Sequence, residues 1–413
     1  MAAVVALDLS RSGLRAVQVD APYTARPTIS RFAAIPLPEG TVFDGEILDQ
    51  KRAIAAIKQL WKVGGFTTKK VVFGVSNRKV VVREVTLPVF TGAQRRTALR
   101  FAVEGQVPID LDDAILDFLP LRNIETSGAV QQEGLLVATV RSSLESTVNA
   151  IERSGRSIDA IDFSGFSLLR LLPGPARGTQ AIINIGASST TVVISHAGTP
   201  QFVRIVPSGG DDVSRSIERA LGVSFAEAEL DKITRGLQGG AATPRDVDAE
   251  TVLRENIAGL IDSIRNTFAF WSNAHPESPV ASVILSGGGS RLGGLTLVLS
   301  RALGVPTAYG NPFAPFSMNA KVRESGIEQW ALEIAAPLGL TLGAKADRRS
   351  EKAAERAAAK TKRGGAKAST AAPAAPPAPL AATKPTKEQE KNAKAAANAH
   401  AKAEKAASKG GRR

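Results

Sequence analysis

Apolar and polar positions alternate through the chain in blocks that predict a duplicated α/β pattern. The opening stretch VVALDLSRSGLRAVQV (4–19) is an apolar run that ends on Asp8, turns through serines and Gly13, and returns as a second alternating run, the pattern of a β-hairpin. A further strand, a helix and another strand complete residues 1–82. KRAIAAIKQLWK sets Ile54, Ile57, Leu60 and Trp61 on one helical face, and KKVVFGVS reads as a short buried strand. Residues 83–163 read as an insertion of two helices and roughly four strands, too small to hold an active site of its own and suited to an attachment surface. Its second helix is expected to start on a capping box, Ser142 with Glu145, ahead of a stripe of Leu144, Val148 and Ile151.

A second hairpin follows. TQAIINIGASSTTVVISHAGTPQFVR (179–204) alternates as a hairpin and a third strand, and a helical region is expected from about 211 to 276. Its last helix, about 247–274, aligns Leu253, Ile257, Leu260, Ile264, Phe268 and Trp271 on one side. VASVILSGGGS (280–290) is a strand ending in glycines, LTLVLSRALG is a helix, and a short helix ends near Gly343.

Charge changes this picture only at one end. The net charge is +13, but residues 345–413 carry 18 Lys and Arg against 6 Asp and Glu, leaving 34 against 33 for residues 1–344. The folded part therefore has no basic nucleic-acid footprint. The tail is Ala, Lys and Pro in low-complexity order and is expected to be disordered, with helical tendency in EKAAERAAAK. Such a segment can touch anionic lipid electrostatically or act as a solvated spacer; it has no apolar face to insert. The absence of cysteine excludes disulfides and thiolate chemistry, and the three scattered histidines, His196, His275 and His400, make no zinc cluster. With no signal peptide and no apolar span at the start, a cytoplasmic location is expected.

The two hairpins match each other position by position. Each is an apolar run with a polar residue at its end (Asp8, Asn184), one apolar residue, a turn of small residues and a returning strand. Small residues let backbone amides approach and cradle an anion, so two such turns facing each other would grip a polyphosphate, with Asp8 holding Mg2+ through its waters. Gly287, Gly288 and Gly289 open a helix after a buried strand, where backbone can approach a nucleotide. They are not a GxGxxG fingerprint, and residues 307–311, where a dinucleotide site needs an acid, hold none.

The order of these elements resembles the actin-like ATPase superfamily. Within it, ALDLSRSGLRAV, LRFAVEGQVPIDLDDAILDFLPL, NIGASSTTVVI, RIVPSGGDDVSRSIERALGVSFAEAE, AHPE, VILSGGGSRLGGL and LGVPTAYGNPF resemble the PilM family of type IV pilus assembly proteins, which is related to the division protein FtsA. The resemblance implies an actin-like ATPase fold in two lobes of duplicated α/β subdomains: 1A over 1–82, the inserted 1C over 83–163, a return to 1A and start of 2A over 164–205, 2B over 206–279 and 2A over 280–344. It implies ATP and Mg2+ as cofactors. The first phosphate loop falls on Asp8, Ser10, Ser12, Gly13 and Arg15, the second on Asn184, Gly186, Ala187, Ser188 and Ser189, and the adenosine contacts on Gly287, Gly288, Gly289 and Arg291. The implied partner is the cytoplasmic N-terminus of the inner-membrane protein PilN, gripped between 1A and 1C with Val103, Val107, Ile109 and Leu116 as groove positions. Through PilN the chain would organise the pilus assembly complex from the inner face of the cytoplasmic membrane, with self-association as a further expectation.

Two departures from the superfamily pattern bear on activity. Ser10 stands where glycine is usual, and Asn184 stands where the second loop usually has Asp. Asn184 can bond a metal-bound water but brings no charge and is a poor base, so nucleotide is expected to bind with slow or no hydrolysis. Two alternatives stay open: a small-molecule kinase of the same fold, with Asp211 or Asp212 as base, and an FtsA-like membrane anchor, which the lack of a terminal amphipathic helix disfavours.

Overall fold

The computed structural model describes residues 3–343 apart from 23, 90–94, 127, 176 and 241–242; the expected disordered tail over 345–413 lies outside the described residues. Three strands open the chain, β1 (Ala3–Ser10), β2 (Gly13–Asp20) and β3 (Thr28–Ile35), each antiparallel to the one before. A two-residue-stranded hairpin, β4 (Val42–Phe43) with β5 (Glu46–Ile47), leads into α1 (Gln50–Gly64). Asp49 accepts the Arg52 amide at 3.0 Å and so fixes where α1 begins. The helix ends where Gly65 takes φ +59°, a left-handed cap that costs glycine little. Ala53, Ala56, Ile57, Leu60 and Trp61 form its buried face, and β6 (Lys70–Val75) then runs parallel to β1.

The insertion is a three-stranded sheet, β7 (Val81–Pro88), β8 (Ala114–Thr126) and β9 (Ala129–Val140) in the order β7-β9-β8, with α2 (Arg95–Ala102) beside it. Val85, Leu87, Leu99, Val103, Phe118 and Leu136 give it a core of its own. The chain then re-enters the first lobe earlier than the sequence pattern suggests. α3 (Arg141–Arg153) buries Leu144 and Ile151, and β10 (Ser157–Phe163) pairs parallel to β6 in the large sheet. Residues 141–163 therefore belong with the first sheet, and a period-two run such as SIDAIDF cannot say which sheet it joins. The expected capping box is also absent. β9 runs straight into α3 with Val140 as N-cap, so Ser142 lies inside the first turn and donates its hydroxyl to Asp113 at 3.2 Å.

α4 (Ser164–Leu171) carries the chain across to the second lobe, and its Leu168 belongs to the same continuous core as Val193. The second sheet is built from β11 (Thr179–Ile185), β12 (Thr190–His196) and β13 (Thr199–Val206), again an antiparallel meander. Three helices follow, α5 (Gly210–Leu221), α6 (Phe225–Arg235) and α7 (Pro244–Ala274). α6 opens on a capping box of Ser224 and Glu227, and α7 on Thr243 and Asp246 with Pro244 at its first position. β14 (Val280–Ser286), α8 (Leu295–Leu303) and β15 (Thr307–Tyr309) complete this lobe; β16 (Ser317–Met318) returns to the first sheet, α9 (Ala320–Glu324) follows, and 335–343 are helical.

The first sheet has the order β10-β6-β1-β2-β3-β16 and the second β13-β12-β11-β14-β15. In both, a meander presents its first strand to a parallel neighbour, β6 beside β1 and β14 beside β11. The fold is thus a duplication, and the two matching hairpins occupy equivalent places in it. Being covered on both faces, β2 and β12 are buried almost throughout.

Candidate functional site

The first bend is held together by one side chain. β1 and β2 join through Arg11 and Ser12 alone, with Ser10 opposite Gly13. Arg15, only 6% exposed, donates from Nη1 to Asp8 Oδ2 and to Ser10 Oγ, both at 2.9 Å, and from Nη2 to Ser12 Oγ at 2.7 Å. Its guanidinium lies 4.9 Å from the Trp330 ring centroid. Asp8, Ser10, Ser12 and Arg15 are therefore one cluster, with the Gly13 carbonyl accepting the Ser10 hydroxyl at 3.2 Å. Burial pushes the Asp8 carboxyl above its ordinary value against the pull of Arg15, and Glu333 pushes it the same way.

The second bend closes where the Gly186 amide donates to the Ser189 carbonyl at 2.9 Å. It is stitched to the start of α5, since the amides of Gly210 and Asp211 donate to the carbonyls of Gly186 and Ala187 at 3.0 and 2.8 Å. The first lobe grips it from the other side. Ser188 Oγ donates to Asp44 Oδ1 at 2.7 Å, Arg78 Nε donates to the Ser188 carbonyl at 2.9 Å, and Ser189 Oγ donates to the Ser76 carbonyl at 2.9 Å. Arg11, from the first bend, donates to Asp211 Oδ2 at 3.2 Å, so one aspartate touches both bends.

The glycine turn after β14 completes the cleft. Gly287 takes φ +84°, and a Cβ there would run into the Ile185 carbonyl, with Asn184 Oδ1 at 2.9 Å. The turn thus lies directly on the strand that carries Asn184. Arg291 reaches Glu333 with two bonds, Nε to Oε1 at 2.7 Å and Nη2 to Oε2 at 2.9 Å. A Cβ on Gly210 would have Lys232 Nζ at 3.4 Å and Gly289 Cα at 4.0 Å, so the second bend, the start of α5 and the glycine turn converge on one point. Lys232, almost fully buried, sits there with Nζ bonded to the Gly210 carbonyl at 3.0 Å and Glu229 Oε2 at 2.6 Å.

Among the residues that escape sequence reasoning are Arg11, Asp44, Arg78, Lys232 and Glu333. Asp44 stands in the Asp-Gly of FDGEI, a hairpin-turn signal that could have located β4–β5 but not its partner 144 residues away. Lys232 with Glu229 reads locally as a solvated helical pair.

The amides of Ala187 and Ser188 donate to no acceptor within the chain among the described residues, which leaves them free for an anion. The residues present fit a phosphate group at the second bend. The donor set for a cation is thin: among the described residues no three acids or histidines are grouped to hold a metal, and Asp8 is already bonded to Arg15. A divalent cation here would complete its shell with phosphates and water, as Mg2+ commonly does. Both candidate bases of the kinase alternative are engaged by arginines. Asp212 accepts the Gly209 amide at 2.8 Å and pairs with Arg78 at 3.2 Å, and Asp211 is held by Arg11.

Of the groove positions on the insertion, Val103 is fully buried inside that unit's own core and so supports it from within. Val107 and Leu116 are partly buried against the same core, and Ile109 is half-buried outside it.

The model of the type IV pilus assembly protein PilM family matches residues 6–345. Among solved structures, a PilM-PilN type IV pilus biogenesis complex superposes with a TM-score of 0.72 at 25% identity, over 83% of this chain and 98% of that one. FtsA of Bacillus subtilis (strain 168) is 22% identical over 222 residues, 47% of this chain and 49% of its own. FtsA of Streptococcus pneumoniae serotype 2 (strain D39) is 28% identical over 145 residues, 35% of this chain and 31% of its own. The chain thus spans about half the length, or less, of these curated relatives.

Proposed function

Because the chain belongs to the PilM family of type IV pilus assembly proteins and has the actin-like ATPase fold, we propose that it is a nucleotide-binding scaffold that docks a PilN-type peptide. The observation that carries this is the meeting of the two hairpin bends on Asp211, with free amides at Ala187 and Ser188. In this reading those amides and the Ser10 and Ser12 hydroxyls bind the phosphates of ATP, and Gly287, Gly288, Gly289 and Arg291 bound the adenosine side. Lys232 joins them from α6. Asp8, with Asn184 through a water, would hold Mg2+, which would supply charge neutralisation for the phosphates.

Arg15 keeps Asp8 oriented toward that position. Hydrolysis is slow or absent, since Asn184 is a poor base and both Asp211 and Asp212 are tied to arginines. The chain's work is then partner binding, with the insertion as the docking unit. Among the described residues no helix is long and apolar enough to cross a membrane, so recruitment to the membrane proceeds through the partner, helped by the basic residues after 344 on anionic lipid.

The test is a pull-down of the full chain on a synthetic PilN N-terminal peptide, with and without Mg2+-ATP, beside direct titration of a fluorescent nucleotide. Capture of the chain and saturable nucleotide binding support the reading. Failure of the peptide to bind in both states overturns the scaffold role.

A further inference from the structure

The basic side chains lining the three turns are each committed to an acid. Arg11 pairs with Asp211 and Glu39, Arg15 with Asp8, Arg78 with Asp212 and Asp44, Lys232 with Glu229, and Arg291 with Glu333. Six of these carboxylates, Asp8, Asp44, Asp211, Asp212, Glu229 and Glu333, surround a site that the proposed function fills with a polyphosphate, while Glu39 lies on the open surface and Arg215 of α5 stands over the Phe43 ring next to Asp44. A bare anion entering at the second bend meets the charge of Asp44 first.

Asp44 is the acid set most directly on the second bend. Its side chain is 14% exposed, its Oδ1 accepts the Ser188 hydroxyl, and Arg78, 4.0 Å away, is shared with Asp212. The hairpin that carries it is anchored independently of the bend. The Ile47 amide donates to Ser146 Oγ on α3 at 3.3 Å, Lys79 binds Glu46 at 2.6 Å, and the Leu48 amide donates to the Thr41 carbonyl at 2.9 Å. Asp44 therefore cannot swing aside cheaply when a charge arrives at Ser188.

We propose that Asp44 makes the second bend selective for cation-complexed nucleotide over the metal-free anion. The proposal rests on the nucleotide-binding reading above and adds a positioning residue to it. By holding the Ser188 hydroxyl, Asp44 sets the shape of the bend; by its charge, it penalises a phosphate that brings no cation. A phosphate carrying a divalent cation escapes that penalty, and the carboxylate can accept from the cation's water.

The experiment titrates a fluorescent ADP analogue into the full-length chain in excess Mg2+ and again in EDTA, for the natural protein, Asp44→Asn and Ser188→Ala. Asn keeps an acceptor for the Ser188 hydroxyl and tolerates the positive φ of +48° at this position, so the variant removes charge and little else. The expected result is that Asp44→Asn tightens metal-free binding by about tenfold while changing Mg2+-complexed binding by less than about threefold. Ser188→Ala, which keeps the charge, is expected to leave the ratio of the two affinities unchanged. An unchanged ratio in Asp44→Asn overturns the selectivity, as does an equal shift in Ser188→Ala, which would make the role structural only. Absence of binding by the natural protein in both conditions overturns the nucleotide reading and this proposal with it.

Discussion

Arg11, in the bend of the first lobe, donates to Asp211 at the head of α5 in the second at 3.2 Å, two hundred residues along the chain. The same guanidinium stands 3.5 Å from the centroid of Phe225 at the start of α6. One side chain thus binds the first bend to the two helices that frame the second. Arg78 does the same on the other flank through the Ser188 carbonyl and Asp212. The lobes are fastened on both sides of the cleft by arginines of one lobe set against aspartates of the other.

Arg11 and Asp211 are only 15% and 17% exposed, so their pairing is worth more than a surface ion pair. Replacing Arg11 by Ala is expected to cost about 1–2 kcal/mol in urea unfolding, through the lost pair and the lost contact with Phe225. A double-mutant cycle with Asp211→Asn should give a coupling of about 1 kcal/mol. Coupling near zero would mean that the contact does not fasten the lobes.

The glycine turn offers a sharper contrast. Gly287 needs its positive φ, and any Cβ strikes the Ile185 carbonyl, so Gly287→Ala should cost about 2–3 kcal/mol. Gly288 is open by comparison: its Cβ would meet the Glu333 side chain at ordinary contact distance, Cγ nearest at 3.5 Å. Gly288→Ala is expected to unfold within about 1 kcal/mol of the natural protein while weakening nucleotide binding. Urea midpoints of the two variants, with nucleotide titration of the second, check both halves.

Which parts of this site were legible in the sequence follows from the range of the contacts. The two hairpins show because alternation and small turn residues are local signals, and the stripe of α7 shows because 3.6-residue spacing survives over 31 residues. The end of the insertion did not show, because β10 is amphipathic whichever sheet it joins. Ser142 and Glu145 have the spacing of a capping box, yet β9 passes into α3 without the turn such a cap requires. Asp44 on Ser188 and Glu333 beside Asp8 join segments with no pattern in common, so only the fold reveals them.

The start of α7 carries part of the acid dependence of the second lobe. Asp246 is held down to about 2 by hydrogen bonds from Thr243 and Arg235 and by the charge of Arg235. A depressed carboxyl contributes stability that is present above the unfolded value of about 4 and is lost as pH falls through the folded one. The natural protein should therefore exceed Asp246→Asn in stability at pH 7, and the gap should close between about pH 4 and pH 2. Hydrogen exchange at the first turn of α7, followed over that range in both proteins, reads this directly.

Asp8 runs the other way. Its carboxyl is raised by burial, with Glu333 adding to the shift and Arg15 opposing it, so the folded protein holds this proton more tightly than the unfolded chain. The contribution of such a group is fully present below the unfolded value of about 4 and is lost as pH rises through the folded one. Ionising this carboxyl is therefore a net cost to folding even beside Arg15. Asp8→Asn keeps an acceptor for Arg15 Nη1 and sheds that cost, so it should melt no lower than the natural protein at pH 7.5, and its advantage should shrink as pH falls toward 4. The same variant should bind Mg2+-nucleotide more weakly, because the carboxylate proposed to face the cation is gone. Loss of stability together with loss of binding would instead make Asp8 a structural partner of Arg15. A residue that costs folding energy and is needed for ligand is what a binding site, and not a packing contact, predicts.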